Sequence, residues 1–256
     1  MAKPKPVAII TGASAGIGAA TAKKFAANGY DLAICARREK ELARVAQDCE
    51  ELGAKVLAVS LDIAEQKNRE NFADVIFKKF SKVDVLVNNA GMALGFADYL
   101  HAETTNIEKM FAVNVIATFE MTRLVLTKMI ERKSGHLIFL GSIAAHQSYE
   151  KGGGYCASKH AQRALVDSLR LEIADQPIRI TSIDPGMVET EFSVVRFGGD
   201  KNRAKKVYEG IQPLVAADIA ECIFWASSRP PHVNIAEIDV FPVHQVGMSK
   251  IYRKAN

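Results

Sequence analysis

The most informative segment of this chain is Val7-Ala-Ile-Ile-Thr-Gly-Ala-Ser-Ala-Gly-Ile-Gly18. It starts as an apolar run typical of a buried strand, continues as a loop with three glycines, and leads into a helical pattern over residues 17–28. Glycines at such a turn let the backbone approach a pyrophosphate, and the helix start offers N–H groups to that anion. The spacing G-x-x-x-G-x-G differs from the commoner G-x-G-x-x-G. Taken alone, the loop also suits a purely structural turn.

The same alternation of strand and helix continues along the chain. Strands are predicted at 7–10, 31–35, 55–59, 83–87, 136–140, 178–183 and 235–240, and helices at 17–28, 38–52, 65–80, 106–131 and 153–174. Near-continuous apolar strands separated by helices predict a parallel sheet covered on both faces. We therefore expect a single α/β domain over residues 1–256, with a Rossmann-type doubly wound parallel sheet of about seven strands.

Composition and charge exclude several classes of protein. Hydrophobic residues make up 48% of the 256 residues and charged residues 24%, which argues against a disordered chain and a disulfide scaffold. The net charge is +4, and five cations in the two tails account for it: Lys3, Lys5, Lys250, Arg253 and Lys254. Because the body of the chain is close to neutral, we expect no nucleic-acid partner.

Membrane insertion, secretion and metal binding are not expected either. The chain lacks the run of about 18 unbroken apolar residues that a membrane helix needs, and its first residues lack a signal-peptide core. Its four cysteines, Cys35, Cys49, Cys156 and Cys222, show no metal-ligand spacing and suit free thiols in a reducing compartment. We predict a cytoplasmic protein with no membrane partner and no metal site.

The end of the second predicted strand distinguishes between two dinucleotides. An acidic residue there would bind the ribose hydroxyls of NAD and repel the 2′-phosphate of NADP. This chain instead has Ala36-Arg-Arg38, with the first acid at Glu39. Guanidinium groups suit a phosphate, and Ser14 in the glycine loop would add a hydroxyl. NADP is therefore the predicted cofactor, and a solvated helix start is the alternative explanation for Arg37 and Arg38.

A second motif, Tyr155-Cys-Ala-Ser-Lys159, opens the helix predicted at 153–174. The i, i+4 spacing places the phenol and the ammonium on one helix face, where the positive charge is expected to lower the pKa of Tyr155. Ser142 follows the fifth strand and reaches the same space. The three residues suit a reaction in which Ser142 orients a carbonyl or alcohol oxygen and Tyr155 exchanges its proton. Alone, a Y-x-x-x-K pair is common on exposed helices.

Seven motifs occur in the order typical of one family. They are the glycine loop, Asp62, Asn88-Asn-Ala-Gly91, Asn114, Ser142, the Tyr155/Lys159 pair and Pro185-Gly186. In these motifs the chain resembles the short-chain dehydrogenase/reductase family over essentially its full length. The resemblance implies an oxidoreductase that acts on CH–OH groups, and a homotetramer whose contact surfaces are the helices at 106–131 and 153–174.

The resemblance also implies roles for the matching residues. Asn114 would hold a water on a proton relay to Lys159, which would also bind the nicotinamide ribose. The cofactor would be held by Gly12, Ser14, Gly16, Ile17, Gly18, Arg37, Arg38, Asp62, Ile63, Asn88, Ala90, Gly91, Tyr155, Lys159, Pro185, Gly186, Val188 and Thr190. Simpler alternatives are a helix cap at Asp62, a turn at Asn88-Asn89 and a breaker at Pro185-Gly186.

Within the family, the chain is most similar to NADP-dependent 3-hydroxy acid dehydrogenases, the group of serine and allo-threonine dehydrogenases. The likeness rests on Ala36-Arg-Arg38 and on Pro185-Gly-Met-Val-Glu-Thr-Glu-Phe-Ser-Val-Val-Arg-Phe197. It weakens at His146-Gln-Ser-Tyr-Glu-Lys-Gly-Gly-Gly154, directly ahead of Tyr155.

A small acid substrate needs a cation for its carboxylate. Arg196 is the predicted partner, in a long connection at about 187–213 that we expect to act as a substrate lid. Exposure to solvent is the alternative for this arginine. Phe192 is expected to supply an apolar wall, and His146 and Gln147 are expected to line the substrate pocket near Ser142.

The predicted function is oxidation, with NADP, of the 3-hydroxyl of a small hydroxy acid or hydroxy amino acid such as serine or allo-threonine, or reduction of the corresponding carbonyl. One alternative is a reductase of 3-oxoacyl thioesters or bulkier ketones, which an open apolar lid would favour. Another is a non-catalytic NADP-sensing protein on the same fold. The complete set of Ser142, Tyr155 and Lys159 argues against the second alternative.

Overall fold

A parallel β-sheet forms the centre of the molecule. The computed structural model describes residues 4–254, so Lys3 of the leading tail lies outside the described residues. In that range the strands are β1 Val7–Thr11, β2 Asp31–Ala36, β3 Val56–Ser60, β4 Val85–Asn88, β5 Gly135–Leu140, β6 Ile178–Pro185, β7 Val188–Glu189, β8 Leu214–Val215 and β9 Glu237–Val240. Seven of them form one sheet in the order β3-β2-β1-β4-β5-β6-β9, with every neighbouring pair parallel. β7 and β8 pair separately.

Helices connect these strands and cover both faces of the sheet. They are α1 Gly16–Ala27, α2 Glu39–Glu51, α3 Gln66–Lys79, α4 Thr104–Phe111, α5 Thr118–Arg132, α6 Gly153–Glu172, α7 Phe192–Arg196, α8 Lys201–Lys206 and α9 Ala216–Ser227. A π-helical segment, Ala112–Ala117, joins α4 to α5. Short 3₁₀ turns lie at Tyr99–His101 and Ile143–Ala145.

Alternate residues of the central strand β1 face two different core layers. Ile10 packs in the layer that contains residues of α1, α2 and α9, and Ile9 packs in the layer that contains residues of α3, α5 and α6. Both side chains are fully buried. Each such burial stabilises the fold by roughly 2 kcal/mol. Burial on both faces explains why these strands are apolar at nearly every position.

The predicted doubly wound α/β fold is confirmed, with two differences in its connections. The sequence pattern predicted no helix between 213 and 235, where the structure has α9 packed on α1. Besides the predicted long connection at 187–213, residues 89–103 form a second long one, which joins β4 to α4 with a single 3₁₀ turn. The 187–213 segment itself contains β7, α7 and α8.

One helix of the described residues is long and apolar enough to cross a membrane by length and composition, the continuous span Thr104–Arg132. Met121, Val125 and Met129 of this helix are fully buried against the sheet. The protein core therefore accounts for much of its apolar character.

Candidate active site

A cleft of about 680 Å³ opens at the carboxyl ends of the strands. The glycine loop after β1 and Arg37-Arg38 after β2 form one end of the cleft, and Ser142 and Tyr155 form the other. The strand order reverses direction between β1 and β4, which is where doubly wound sheets bind their ligands.

The glycine loop is shaped to hold an anion. Gly12 and Gly16 have φ angles of 68° and 54°, which side chains rarely adopt. At Gly18 a Cβ atom would lie 2.4 Å from both the Gly12 carbonyl oxygen and Asn89 Nδ2. The N-cap of α1 is Ala15, whose side chain has no polar atom to pair with the first N–H groups of the helix. Those groups therefore remain for a pyrophosphate.

Arg38 contacts both sides of the cleft at its phosphate end. Its Nη2 donates to the Ser14 hydroxyl at 3.4 Å, so the structure brings these two predicted phosphate ligands together. Its Nη1 lies 2.8 Å from Glu191 Oε2 in an ion pair whose two side chains are largely exposed. A 2′-phosphate would compete with the Glu191 carboxylate for this guanidinium.

Most of the predicted cofactor residues lie on the wall of the cleft. They are Gly12, Ser14, Gly16, Ile17, Gly18, Arg37, Arg38, Asp62, Ile63, Ala90, Gly91, Tyr155, Lys159, Pro185, Gly186, Val188 and Thr190. Asp62 also accepts a hydrogen bond from the Ala64 N–H at 2.9 Å, so it both caps a turn and lines the cleft.

Asn88 is the one predicted cofactor residue that is not on the cleft wall, and its contact with the cofactor stays a prediction. Its side chain is buried and donates to the Thr122 hydroxyl of α5 at 2.9 Å. Successive residues at a strand end point to opposite faces, so Asn89 takes the place on the cleft wall. Asn88 therefore supports this wall from behind.

Ser142, Tyr155 and Lys159 meet at the opposite end of the cleft. The Ser142 hydroxyl accepts a hydrogen bond from the Ala144 N–H at 3.1 Å. Tyr155 lies in the first turn of α6, with its ring centroid 5.5 Å from that of Phe192 in an edge contact. One turn later, Lys159 Nζ donates to the Leu140 carbonyl at 2.8 Å and to Gln162 Oε1 at 2.9 Å.

The pKa of Tyr155 differs from the expectation based on the sequence. That expectation was that the positive charge of Lys159 lowers it. Burial raises the pKa of Tyr155 above its ordinary value, while the charge of Arg196 and the Ser142 hydroxyl lower it in part. Burial also lowers the pKa of Lys159 to about 8, so its positive charge is weakened at mildly basic pH. The expectation is corrected: the cation that acts most on the phenol is Arg196.

Asn114 is fully buried in the π-helical segment, behind the cleft wall. Its Nδ2 donates to the Met92 carbonyl at 2.9 Å, and its Oδ1 accepts from the Met92 N–H at 2.9 Å. A Cβ atom at Gly91 would lie 3.4 Å from Asn114 Oδ1 and 3.8 Å from Lys159 Nζ. Asn114 therefore fixes this loop beside Lys159, and its role as a water ligand stays a prediction.

Arg196 is half-buried on the cleft wall among aromatic rings, so the alternative of full solvent exposure does not hold. Its guanidinium carbon lies 5.0 Å from the ring centroid of Tyr155, 5.1 Å from that of Phe192 and 5.6 Å from that of Tyr149. Stacking on ring faces leaves the N–H edge of a guanidinium available to a carboxylate.

The prediction that His146 and Gln147 line the pocket is corrected. The imidazole of His146 lies behind Ser142, with Nε2 3.3 Å from Asp184 Oδ2. Gln147 is exposed, and its Oε1 accepts from the Met248 N–H at 3.1 Å. The 3₁₀ turn at Ile143–Ala145 redirects the chain, so His146 and Gln147 directly after it are not on the cleft wall.

Sequence reasoning missed several residues of the cleft wall, among them Phe96, Tyr149 and Glu191. The hydroxyl of Tyr149 is buried and has no hydrogen-bond partner within residues 4–254. A Cβ atom at Gly152 would lie 2.2 Å from the Tyr149 ring, so this glycine makes room for it. One feature of the sequence could have pointed to Tyr149: it is an aromatic residue six positions before Tyr155, in the segment 146–154 where the family likeness weakens.

The sheet order, the glycine loop and the Ser142–Tyr155–Lys159 site define a dinucleotide-dependent oxidoreductase of the Rossmann type. The chain belongs to the short chain dehydrogenase family, whose model matches residues 6–198. The family resemblance inferred from the motifs is thereby confirmed.

Two similar proteins and one similar structure show which members of the family this chain is like. It is 41% identical over 248 residues to the NADP-dependent 3-hydroxy acid dehydrogenase of Schizosaccharomyces pombe, over 96% of both chains. It is 35% identical over 237 residues to the serine 3-dehydrogenase of Agrobacterium fabrum, over 93% of this chain and 94% of that protein. The closed form of a serine dehydrogenase complexed with NADP⁺ matches 97% of this chain and 100% of its own, with a TM-score of 0.90 and 34% identity.

Proposed function

We propose that this protein is an NADP-dependent oxidoreductase that oxidises the 3-hydroxyl of small hydroxy acids or hydroxy amino acids, such as serine or allo-threonine, or reduces the corresponding carbonyl. The observation that carries the proposal is Arg196, whose guanidinium lies 5.0 Å from the Tyr155 ring in the cleft that Ser142 also lines. A cation beside the proton-exchanging phenol suits a substrate whose carboxylate and hydroxyl-bearing carbon are separated by one carbon. The names of the relatives support the same substrate class.

The three polar side chains divide the chemistry. Arg196 binds the substrate carboxylate, the Ser142 hydroxyl donates a hydrogen bond to the reacting oxygen, and Tyr155 takes the hydroxyl proton during oxidation or returns it during reduction. Because burial raises the pKa of Tyr155, the phenol is protonated at neutral pH. Carbonyl reduction is therefore favoured near neutral pH, and alcohol oxidation becomes faster as the pH rises.

The residues of the cleft fit NADP. The anion cradle formed by Gly12, Gly16 and Gly18 would hold the pyrophosphate, and Arg38 with Ser14 would hold the 2′-phosphate. When bound, NADP supplies the hydride acceptor or donor of the reaction. The serine dehydrogenase structure complexed with NADP⁺ supports this assignment.

An absorbance screen at the NADPH band tests the proposed substrate class. Each 3-hydroxy acid is compared with its methyl ester, which has the same carbon skeleton and hydroxyl but no carboxylate. We expect kcat/KM to be at least about tenfold higher for the acid, the contribution of one charged hydrogen bond. Equal values, or a preference for 3-oxoacyl thioesters or bulky ketones, would favour the alternative reductase. NADPH binding with no turnover of any alcohol or carbonyl would favour the sensor.

We also propose that the protein is a cytoplasmic homotetramer. Ile116, Phe119 and Leu165 of the two long helices are exposed by 51%, 46% and 39%, which supports contact with further copies of the chain through these helices. Light scattering of the purified protein should give four times the mass of one chain, and the mass of one chain would contradict the tetramer. Reduced cysteines at Cys35 and Cys49, both buried, support the cytoplasm.

The segment 187–213 is proposed to act as the substrate lid. It carries Arg196 and joins α7 to α8 through Gly198 and Gly199, both with positive φ angles, of 62° and 97°. Arg38 contacts the same segment through Glu191, which links the lid to the phosphate end of the cleft. We expect NADPH to slow tryptic cleavage within α8, and an unchanged cleavage rate would contradict the lid.

A further inference from the structure

A cluster of charged side chains lies behind Ser142, and the mechanism above does not use it. Asp184, near the end of β6, is 3% exposed. His146, Arg163 of α6, and Glu237 and Asp239 of β9 surround it. A carboxylate this deeply buried is expensive to desolvate, so its position needs an explanation.

The contacts of Asp184 point toward the active site. Its Oδ1 accepts the backbone N–H of Ser142 at 2.8 Å, and its Oδ2 lies 3.3 Å from His146 Nε2. A Cβ atom at Gly141 would lie 1.8 Å from the same Oδ1, so a side chain at position 141 would displace the carboxylate. The backbone leading to Ser142 is therefore shaped around this one contact.

Arg163 supplies the cation of the cluster. Its Nη2 lies 3.1 Å from Glu237 Oε2, and its Nη1 donates to Glu237 Oε1 at 3.2 Å. The potential ligand atoms of His146, Asp184, Glu237 and Asp239 lie within 4.8 Å of one another, a spacing that would also suit a metal ion. The Arg163 guanidinium offsets one of the three carboxylate charges there, and the role argued below uses no metal.

We propose that Asp184 is a positioning residue that fixes the backbone of Ser142, and that the Nε2–H of His146 donates to the Asp184 carboxylate from the other side. The kinetic part of this proposal rests on the proposed function, in which Ser142 orients the reacting oxygen. The assignment also gives His146 a role away from the substrate.

The charge of Asp184 has a second consequence, for the groups that exchange protons. Its negative charge raises the pKa of Lys159 and that of Tyr155. Burial raises the pKa of Asp184 itself, whereas His146 and Lys159 lower it. The charged and titratable groups that face Asp184 from the neighbouring elements are His146, Tyr155, Lys159, Arg163, Glu237 and Asp239.

Two variants separate anchoring from charge. Asp184→Ala removes the acceptor of the Ser142 N–H, and we expect kcat to fall about 10- to 100-fold with the Kd for NADPH unchanged, because displacement of a catalytic group by about 1 Å has effects of this size. Asp184→Asn keeps an oxygen for that N–H but removes the charge. We expect it to recover most of kcat and to move the basic limb of the pH–rate profile for oxidation to lower pH.

The matched control is Asp84→Asn. Asp84 accepts the backbone N–H of Val7 at 2.8 Å at the amino ends of β1 and β4, so this variant changes a carboxylate that also holds a backbone N–H but lies at the opposite end of the strands from Ser142. We expect its kcat and its pH profile to equal those of the unaltered chain. A folded Asp184→Ala variant with kcat within twofold of the unaltered chain would overturn the proposal, and so would an Asp184→Asn profile that does not move.

A readout without turnover keeps the test independent of the substrate assignment. The ionisation of the Tyr155 phenol is followed by ultraviolet absorbance as the pH is raised. The titration of the same chain carrying Tyr155→Phe is subtracted, so that only the signal of Tyr155 remains. Asp184→Asn should move this difference titration to lower pH, and an unmoved titration contradicts the effect of the Asp184 charge on Tyr155. If the unaltered chain turns over no alcohol, the proposed function fails, and the titration still tests this effect of Asp184.

Discussion

Arg196 lies where substrate recognition and proton transfer meet. Its guanidinium stacks on Tyr155, Phe192 and Tyr149, and its charge lowers the pKa of Tyr155 against the larger effect of burial. A bound carboxylate would neutralise that charge in part and so raise the pKa of the phenol again. Substrate binding and the proton affinity of Tyr155 are therefore coupled through one side chain.

Arg196→Gln separates the two effects. We expect KM for a 3-hydroxy acid to rise about 10- to 100-fold, because a charged hydrogen bond contributes about 1.5–3 kcal/mol, while KM for the matching methyl ester stays nearly constant. The pH–rate profile should move to higher pH, since a charge that lowers the pKa of Tyr155 has been removed. Steady-state kinetics over a range of pH measures both changes.

Arg203→Gln is the control for this variant. The Arg203 guanidinium stacks on the rings of Phe197 and Phe96 at 4.5 Å and 5.8 Å and does not line the cleft. We expect normal KM values from it. An equal rise in KM for the acid in both variants would show that the lid, and not Arg196, determines the effect.

The ion pair between Arg38 and Glu191 predicts a change in cofactor affinity. Glu191→Gln removes a carboxylate that competes with the 2′-phosphate, and exposed ion pairs contribute up to about 1 kcal/mol. We expect the Kd for NADPH to fall up to about fivefold, with the Kd for NADH unchanged, in a fluorescence titration. Arg38→Gln should weaken NADPH binding alone. Tighter binding of NADH than of NADPH by the unaltered chain would contradict the cofactor assignment.

Among the elements, the sequence predicted those whose signal is local. The glycine loop and the alternation of strands and helices depend on spacing along the chain, so β1 and α1 could be placed to within two residues. The contact between Arg196 and Tyr155 depends on how α7 docks on α6, and that between Asp184 and Ser142 depends on the pairing of β5 with β6. No local pattern contains these distances, which is why Tyr149 was missed and His146 was misplaced.

The start of α1 allows a test of its close packing. Gly18→Ala would place a Cβ atom 2.4 Å from the Gly12 carbonyl oxygen, so the loop or the helix must move. We expect the melting temperature to fall by several degrees and NADPH binding to weaken. Gly153→Ala, at the start of α6, meets nothing within 4 Å among the described atoms and should leave stability unchanged or slightly higher. Calorimetry measures the melting temperatures of both variants. Equal melting temperatures for Gly18→Ala and Gly153→Ala would contradict this close packing at Gly18.

For the molecule as a whole, His136 links folding stability to pH. Its ring is buried, and because the Thr181 hydroxyl donates to the Ile235 carbonyl at 2.6 Å, His136 Nε2 donates to Thr181 Oγ1 at 2.7 Å. Its Nδ1 has no partner within the described part of the chain. Burial and, to a smaller extent, Arg179 lower the pKa of His136 from 6.5 to about 3.

This lowered pKa predicts acid sensitivity. Below pH 6.5 the unfolded chain binds a proton at His136 and the folded chain does not, so stability is lost as the pH falls from 6.5 toward 3. The contribution is about 1.4 kcal/mol per pH unit. The free energy of unfolding is measured with urea at pH values between about 7 and 5. We expect it to fall less steeply with decreasing pH for His136→Gln than for the unaltered chain. An equal pH dependence in the variant would contradict the prediction.

The most direct test of the proposed mechanism is the reduction of NADP⁺ with a 3-hydroxy acid or serine, measured for the unaltered chain and for Tyr155→Phe. We expect the unaltered chain to turn over and the variant to be slower by about 10²- to 10⁴-fold, the usual contribution of a general acid–base group. The Kd of the variant for NADPH should stay within about twofold, because the loss is chemical. Equal rates for the two proteins would contradict the central role of Tyr155.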